Sequence, residues 1–244
     1  MKAVILAGGK GSRLEPFTYV FPKPLMPIGS YPILEIVLSQ LSQAGIDEAI
    51  LTVGHEASKL IKMVTAAGDF DLRIRYSEEK KPLGTAGPLK LIKNLGKDFL
   101  VLNGDILTDI DFKRFIDYHK NNKAIATVAS YQRKLPIDFG VIETAGDKIT
   151  AYREKPNVEY LVSMGIYAFK REILKYIPTN QKFDFPQLVN KLLKLKINPA
   201  VYHHKGEWLD IGRPDDYTKA IKLFFKNSKR FTGKNVKTFN RRNR

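Results

Sequence analysis

Along the N-terminal part of the chain, short β-branched and apolar runs alternate with segments whose apolar positions recur every three or four residues. Residues 3–7 are such a run and pass directly into Gly8, Gly9 and Gly11, the pattern of a buried strand entering a loop. Residues 32–44 place Ile33, Leu34, Ile36, Val37, Leu38 and Leu41 on a helical face, with Pro32 at the start and Gly45 beyond the end. The alternation predicts strands at 48–53, 72–76 and 99–102 and helices at 57–67 and 86–94. A further helix is expected at 112–121, followed by closely spaced strands at 124–130, 140–143, 149–153 and 161–169. Helical segments at 170–176 and 186–195, a strand at 198–203 and a helix at 214–225 complete the pattern.

Strand and helix in strict alternation imply a mostly parallel sheet with helices on both faces. The expected fold is therefore α/β, a Rossmann-like three-layer sandwich, and the clustered strands of the second half suggest an inserted β hairpin. Ligands of such sheets bind beyond the carboxyl ends of the strands. The loops at 8–27 and 104–111 fall there.

Composition narrows the picture. A hydrophobic content of 43% supports a sizeable core, and no apolar run approaches the ~20 residues that span a bilayer. The chain has no cysteine, which excludes thiolate metal sites and cysteine nucleophiles. Without an export signal, the cytoplasm is the default compartment. The net charge of +16 raises a nucleic-acid reading, but residues 226–244 carry eight basic and no acidic side chains, half of that excess. A single domain at 1–225 and a basic, disordered tail at 226–244 are expected. The rest of the charge suits a cleft for small anions.

Two features carry the chemistry. Gly8-Gly9-Lys10-Gly11-Ser12-Arg13-Leu14 follows a strand directly and can aim backbone N–H groups at phosphate oxygens, with Arg13 adding a forked contact. A purely structural loop fits the same glycines, and neither the P-loop nor the dinucleotide fingerprint is met. Pro22-Lys23-Pro24 holds a lysine in a stiffened stretch, suited to a transferring phosphoryl group or to a rigid surface loop.

Together these two motifs resemble the signature of the sugar-1-phosphate nucleotidyltransferases, over roughly residues 1–225. The resemblance implies transfer of a nucleotidyl group from a nucleoside triphosphate to a sugar 1-phosphate, with Mg²⁺ as cofactor and pyrophosphate as leaving group. It implies Arg13, Lys23 and Asp105 as catalytic residues. Leu6, Ala7, Gly8, Gly9, Gly11, Gly84, Thr85 and Asn103 would bind the nucleotide, with the Gly84-Thr85 segment facing the base through backbone and threonine. Asp105 and Asp210 would share the metal. Gly140, Glu154, Lys155 and Ser163 would line the sugar-phosphate half, although Ser163 stands where many members have Asn.

From the residues alone, Asp210 lies between apolar Leu209 and Ile211 and needs a partner if buried. Gly212 is read as relieving crowding, and Thr85 also suits a helix N-cap. Asp109 and Asp111 read as turn and cap residues, Glu78-Glu79-Lys80-Lys81 as a solvated turn, and Trp208, His203 and His204 as structural. His55 follows a strand near the site with no assigned role. The leading substrates are GTP and a hexose 1-phosphate such as mannose 1-phosphate. Alternatives are thymidylyl or uridylyl transfer to glucose 1-phosphate, or a silent nucleotide-sugar-binding subunit. A nucleic-acid partner is disfavoured, a membrane is not expected, and association with copies of itself stays open.

Overall fold

The structure, a computed structural model, describes residues 1–9, 11–68 and 70–232. In chain order the elements are β1 (Lys2–Leu6), β2 (Pro27–Ile28), β3 (Tyr31–Pro32), α1 (Ile33–Gln43), β4 (Glu48–Gly54) and α2 (His55–Ala67). β5 (Arg73–Glu79), β6 (Asp98–Asn103), β7 (Ile106–Thr108), α3 (Phe112–Asn121), β8 (Ala126–Pro136), β9 (Val141–Ala145) and β10 (Lys148–Arg153) follow. The chain then continues through β11 (Asn157–Lys170), α4 (Phe185–Lys194), β12 (Ala200–His204), β13 (Trp208–Asp210) and α5 (Pro214–Thr232).

Seven strands form one sheet in the order β12-β8-β11-β6-β1-β4-β5. Only β11 runs against its neighbours; the other pairings are parallel. Alternation on the central strands splits their side chains between two cores. Ala3 and Ile5 of β1, with Leu100 and Leu102 of β6, pack toward α1, α2 and α3. Val4, Phe99 and Val101 point the other way, onto Phe185, Leu188 and Leu192 of α4. Helices thus cover both faces, as the alternating pattern requires. β9 and β10 pair as a separate hairpin, with Gly146 at φ +60° in its turn.

Some expectations are revised. Residues 86–94 form only a 3₁₀ segment, Gly87–Leu91, after which Ile92 is extended at ψ 116° and Asn94 lies at φ +61°. The segment expected as a helix at 170–176 is 3₁₀ at Arg171–Tyr176. The last helix does not stop at 225. It kinks at Asn227 and continues to Thr232, since Phe231 is fully buried and stacks on Phe224. Residues 226–232 therefore belong to the folded body, and the remainder of the basic tail lies outside the described residues. His55, expected in a loop, opens α2; its side chain also lies outside the description.

One polar cluster ties three parallel strands together. Glu48, 2% exposed, accepts from Arg73 at 2.7 Å and Arg75 at 2.9 Å and lies 3.3 Å from Lys2. Burial pushes its carboxyl up, but Lys2, Arg75 and Arg73 outweigh that and hold it below the usual range. Removing the carboxylate leaves three cations facing each other. Glu48→Ala is expected to cost about 3 kcal/mol in urea unfolding. Because the folded carboxyl titrates low, this loss is fully present at neutral pH and fades as pH falls through that range.

Candidate active site

The carboxyl ends of β1, β4 and β6 finish side by side, Leu6 being in register with both Thr52 and Asn103. The chain then turns at Gly104, whose N–H donates to the Leu6 carbonyl at 3.0 Å. A Cβ at Gly104 would fall 2.9 Å from that same oxygen, so only glycine lets the turn seat on β1. β7 leaves this turn and pairs antiparallel with β13, placing Asp210 opposite Ile106. The Ile211 N–H donates to the Asp105 carbonyl at 3.1 Å. This short ribbon brings two aspartates that are far apart in the chain to one place. Burial pushes the Asp210 carboxyl up, and the Asp105 charge pushes it further; Lys23 and Arg13 pull against both.

Lys23 forms an ion pair with Asp105, its side chain 11% exposed. It is not a solvated surface charge. Pro22 sits at ψ 139°, and the turn closes behind it through Leu25 N–H to the Pro22 carbonyl at 2.7 Å. Gly11, at φ +66°, is packed against this segment: a Cβ there would meet Thr18 at 2.8 Å and Lys23 at 3.3 Å. Thr18 donates to the Gly11 carbonyl at 3.1 Å, so the glycine loop and the lysine loop are one packed unit. Arg13 is exposed, and its guanidinium carbon is 3.9 Å from where a Cβ on Gly212 would lie. That spacing is ordinary contact, so Gly212 does not relieve a clash.

A cleft of about 570 Å³ opens over these elements. Its walls contain Leu6, Ala7, Gly8, Gly9, Gly11, Arg13 and Lys23 from the N-terminal segment, Gly84 and Thr85, then Asn103, Asp105 and Asp210. All the residues expected at the nucleotide and metal end are therefore together. Thr52, Glu79 and Pro82 are wall residues that the sequence reading did not place there. Glu79 was assigned to a solvated turn, yet it ends β5, accepts from Leu83 N–H at 3.0 Å and has its carboxyl pushed up by burial. Its other oxygen is 3.1 Å from where a Cβ on Gly8 would lie. Lys80 and Lys81 line a second hollow of about 500 Å³ beside Tyr19 and Val20, on the far side of Gly8 and Glu79. A hydrophobic pattern cannot reveal Glu79, which lies three residues beyond the strand expected at 72–76.

Thr85 does not cap a helix of its own. Its N–H and hydroxyl both donate to Asp184, at 2.8 and 3.2 Å, and the hydroxyl accepts from Phe185 N–H at 2.9 Å. The backbone of this segment is what remains for a ligand. Gly140, Glu154, Lys155 and Ser163 are all exposed and are not among the cleft's walls. Gly140 sits against Tyr152, whose hydroxyl donates to Glu154 at 2.9 Å, so these two share the hairpin. Lys155 has φ +43° after β10, and Ser163 donates to the Tyr167 hydroxyl at 3.1 Å. Asp111 caps α3 by accepting from Arg114 N–H at 3.0 Å, Asp109 accepts from Glu207 N–H at 2.7 Å, and Trp208 is core. His204 does have a carboxylate neighbour, Asp109, at 3.1 Å across β12's end.

The Asp105–Asp210 pair is chemically suited to a divalent cation. Asp105 Oδ1 is buried without a hydrogen-bond partner among the described residues, while Oδ2 faces Lys23. Two carboxylates held together with one idle oxygen favour a cation that takes oxygen ligands and keeps waters. No cluster of three or more metal-ligating side chains occurs among the described residues. The site thus fits an ion completed by water and ligand oxygens. No helix of the described residues is long and apolar enough to cross a membrane.

The chain has relatives among known proteins. The chain is 36% identical over 247 residues to a UTP–glucose-1-phosphate uridylyltransferase of Synechocystis sp., a match covering 91% of this chain and 63% of that protein. It is 34% identical to a mannose-1-phosphate guanyltransferase of Yarrowia lipolytica, covering 92% of this chain and 64% of the relative. The chain thus spans less than two thirds of the length of these relatives. The solved structure of a putative glucose-1-phosphate thymidylyltransferase from Bacillus anthracis superposes with a TM-score of 0.74 at 27% identity, covering 91% of this chain and 94% of that one. HddC from Yersinia pseudotuberculosis gives a TM-score of 0.72 at 26% identity, covering 91% and 99%. The profile of the nucleotidyl transferase family matches residues 2–227, and the chain belongs to that family.

Proposed function

We propose that this protein transfers a nucleotidyl group from a nucleoside triphosphate to a sugar 1-phosphate, with Mg²⁺ held by Asp105 and Asp210. The observation that carries this reading is the convergence of Lys23, Arg13 and the two aspartates on one glycine-lined cleft. An oxygen of the sugar phosphate forms a bond to the α-phosphorus, and the bond from that phosphorus to the bridging oxygen breaks. Its electron pair leaves with pyrophosphate. The attacking monoester is already ionised at neutral pH, so no side chain must remove a proton.

The protein's task is to hold two anions in line and offset their repulsion. Gly8, Gly9 and Gly11 bring backbone N–H groups to the triphosphate, and Arg13 and Lys23 place cations beside it. Bound Mg²⁺ would supply a Lewis acid that neutralises charge on the phosphate oxygens. Gly140, Glu154, Lys155 and Ser163 are assigned to the sugar phosphate, which would approach from the hairpin side.

GTP and a mannose-like hexose 1-phosphate are the preferred substrates. Relatives named as mannose-1-phosphate guanylyltransferases recur in yeast, archaea and plants. Glu79 supports the base: a carboxylate only accepts, and guanine presents adjacent N–H donors, whereas uracil and thymine present one N–H between two carbonyls. The uridylyltransferase relative favours UTP with glucose 1-phosphate as a second reading. A matrix of five triphosphates against common sugar 1-phosphates, read by pyrophosphate release, decides between them. No release with any pair would overturn the reading.

Lys23→Ala is expected to lower kcat about 100-fold or more with an unchanged circular dichroism spectrum. Glu79→Gln is expected to cost GTP about tenfold or more in kcat/KM relative to UTP. Asp210→Asn should abolish turnover yet raise the melting temperature of the metal-free protein at pH 8. The folded carboxyl of Asp210 titrates high, so its penalty is absent below the unfolded value of about 3.9 and grows as pH rises. The stabilisation by Asn should therefore vanish near pH 4, and added Mg²⁺ should stabilise only the wild type.

A further inference from the structure

Asp184 opens α4 and forms the reciprocal capping box with Gln187, whose side chain accepts from Asp184 N–H at 2.8 Å. Such a cap satisfies the first amides of its own helix. Asp184 does more. Its Oδ1 takes both donors of Thr85, a residue 99 positions earlier and on the wall of the cleft. Gly84, at φ +78°, lies so close that a Cβ would fall 2.6 Å from this oxygen and 2.8 Å from the Phe183 carbonyl. The contact extends along both backbones. Phe183 donates to Leu83 O and accepts from Ala86 and Gly87, each at 2.9 Å. Phe185, the first residue of α4, stacks on Tyr167 with ring centroids 4.2 Å apart, so the helix start is itself fixed to β11.

We propose that Asp184 is a positioning residue for the nucleotide: by holding Gly84 and Thr85 it fixes the backbone frame in which the base seats. This rests on the nucleotidyl-transfer reading above. The segment 79–85 is tied at both ends by carboxylates, Glu79 to Leu83 N–H and Asp184 to Thr85. With its threonine hydroxyl engaged, the segment offers the base backbone atoms in a fixed frame. Release of Asp184 frees that frame without touching Lys23, Arg13 or the aspartates, so binding suffers before chemistry does.

The test compares four variants of the full chain by amide hydrogen exchange over residues 83–87 without nucleotide, and by steady-state kinetics. Asp184→Ala is expected to speed exchange there about tenfold and raise the KM for GTP about tenfold, leaving kcat within about threefold and the KM for the sugar phosphate unchanged. Asp184→Asn keeps the accepting oxygen and should restore both. Gln187→Ala weakens only the cap and should leave both near wild type. Asp184→Ser still caps a helix but falls short of Thr85, and should behave as Asp184→Ala does if the alanine variant fails to fold. Unchanged exchange in Asp184→Ser, equal effects from Gln187→Ala, or a parallel rise in both KM values would overturn the proposal. If the wild type transfers no nucleotide, the function reading fails, and the exchange data alone still decide whether Asp184 holds the segment.

Discussion

Two carboxylates brought together in a half-buried place repel each other, and the active-site end of this molecule is organised around that cost. Asp105 and Asp210 meet because a three-residue ribbon, β7 with β13, sets one opposite the start of the other. The ribbon can hold them only because Gly104 lets the chain bend tightly onto β1. Lys23 compensates one carboxylate directly and the other at longer range. The arrangement is unfavourable for folding taken alone, and such a conflict is expected where a site is built to receive positive charge.

The remaining parts of the cleft divide the work by atom type. Backbone dominates at two ends of the cleft, supplied by three glycines at one and Gly84-Thr85 at the other, the ends to which the proposed reaction assigns phosphate oxygens and base. Side-chain charge dominates in between. This division explains why the cleft tolerates so little bulk: Gly8, Gly11, Gly84 and Gly104 each face a neighbour at 3.1 Å or less from a would-be Cβ. Rigidity comes from the sheet below, whose central strands β1, β4 and β6 are buried on both faces, with Glu48 tying the amino ends of β1, β4 and β5.

Much of this was legible in the residues. Apolar runs that alternate with 3.6-period segments specify a sheet covered on both faces, and the glycine and lysine motifs lie at strand ends where such sheets bind ligands. Asp210 between two apolar residues hinted at a charge drawn inward, and it lies half-buried within reach of Asp105, Lys23 and Arg13. What stayed hidden is whatever depends on contacts between distant segments. Asp184 reads as an ordinary helix cap, since nothing local reveals that Thr85 reaches it. Glu79 sits in a run of four charges, the pattern of a solvated turn, and becomes a wall residue only because β5 extends to include it. The 86–94 helix shortened to Gly87–Leu91, with the chain turning extended at Ile92. Phe231, apolar in a basic stretch, was a local sign that the fold passes residue 225.

β11 is the single reversed strand of the main sheet, and at 14 residues it is also the longest. Its inner half is core, paired with β6 and β8; its outer half leaves the sheet's body, pairs with β8 alone and adjoins the β9–β10 hairpin. The pairing register with β8 breaks between Ser163 and Tyr167, and there Gly165, at φ +71°, abuts the Asn103 side chain on the cleft wall. A register break disrupts the ladder locally and bends the strand. The joint between the body of the sheet and the outer half of β11 therefore coincides with the wall of the cleft.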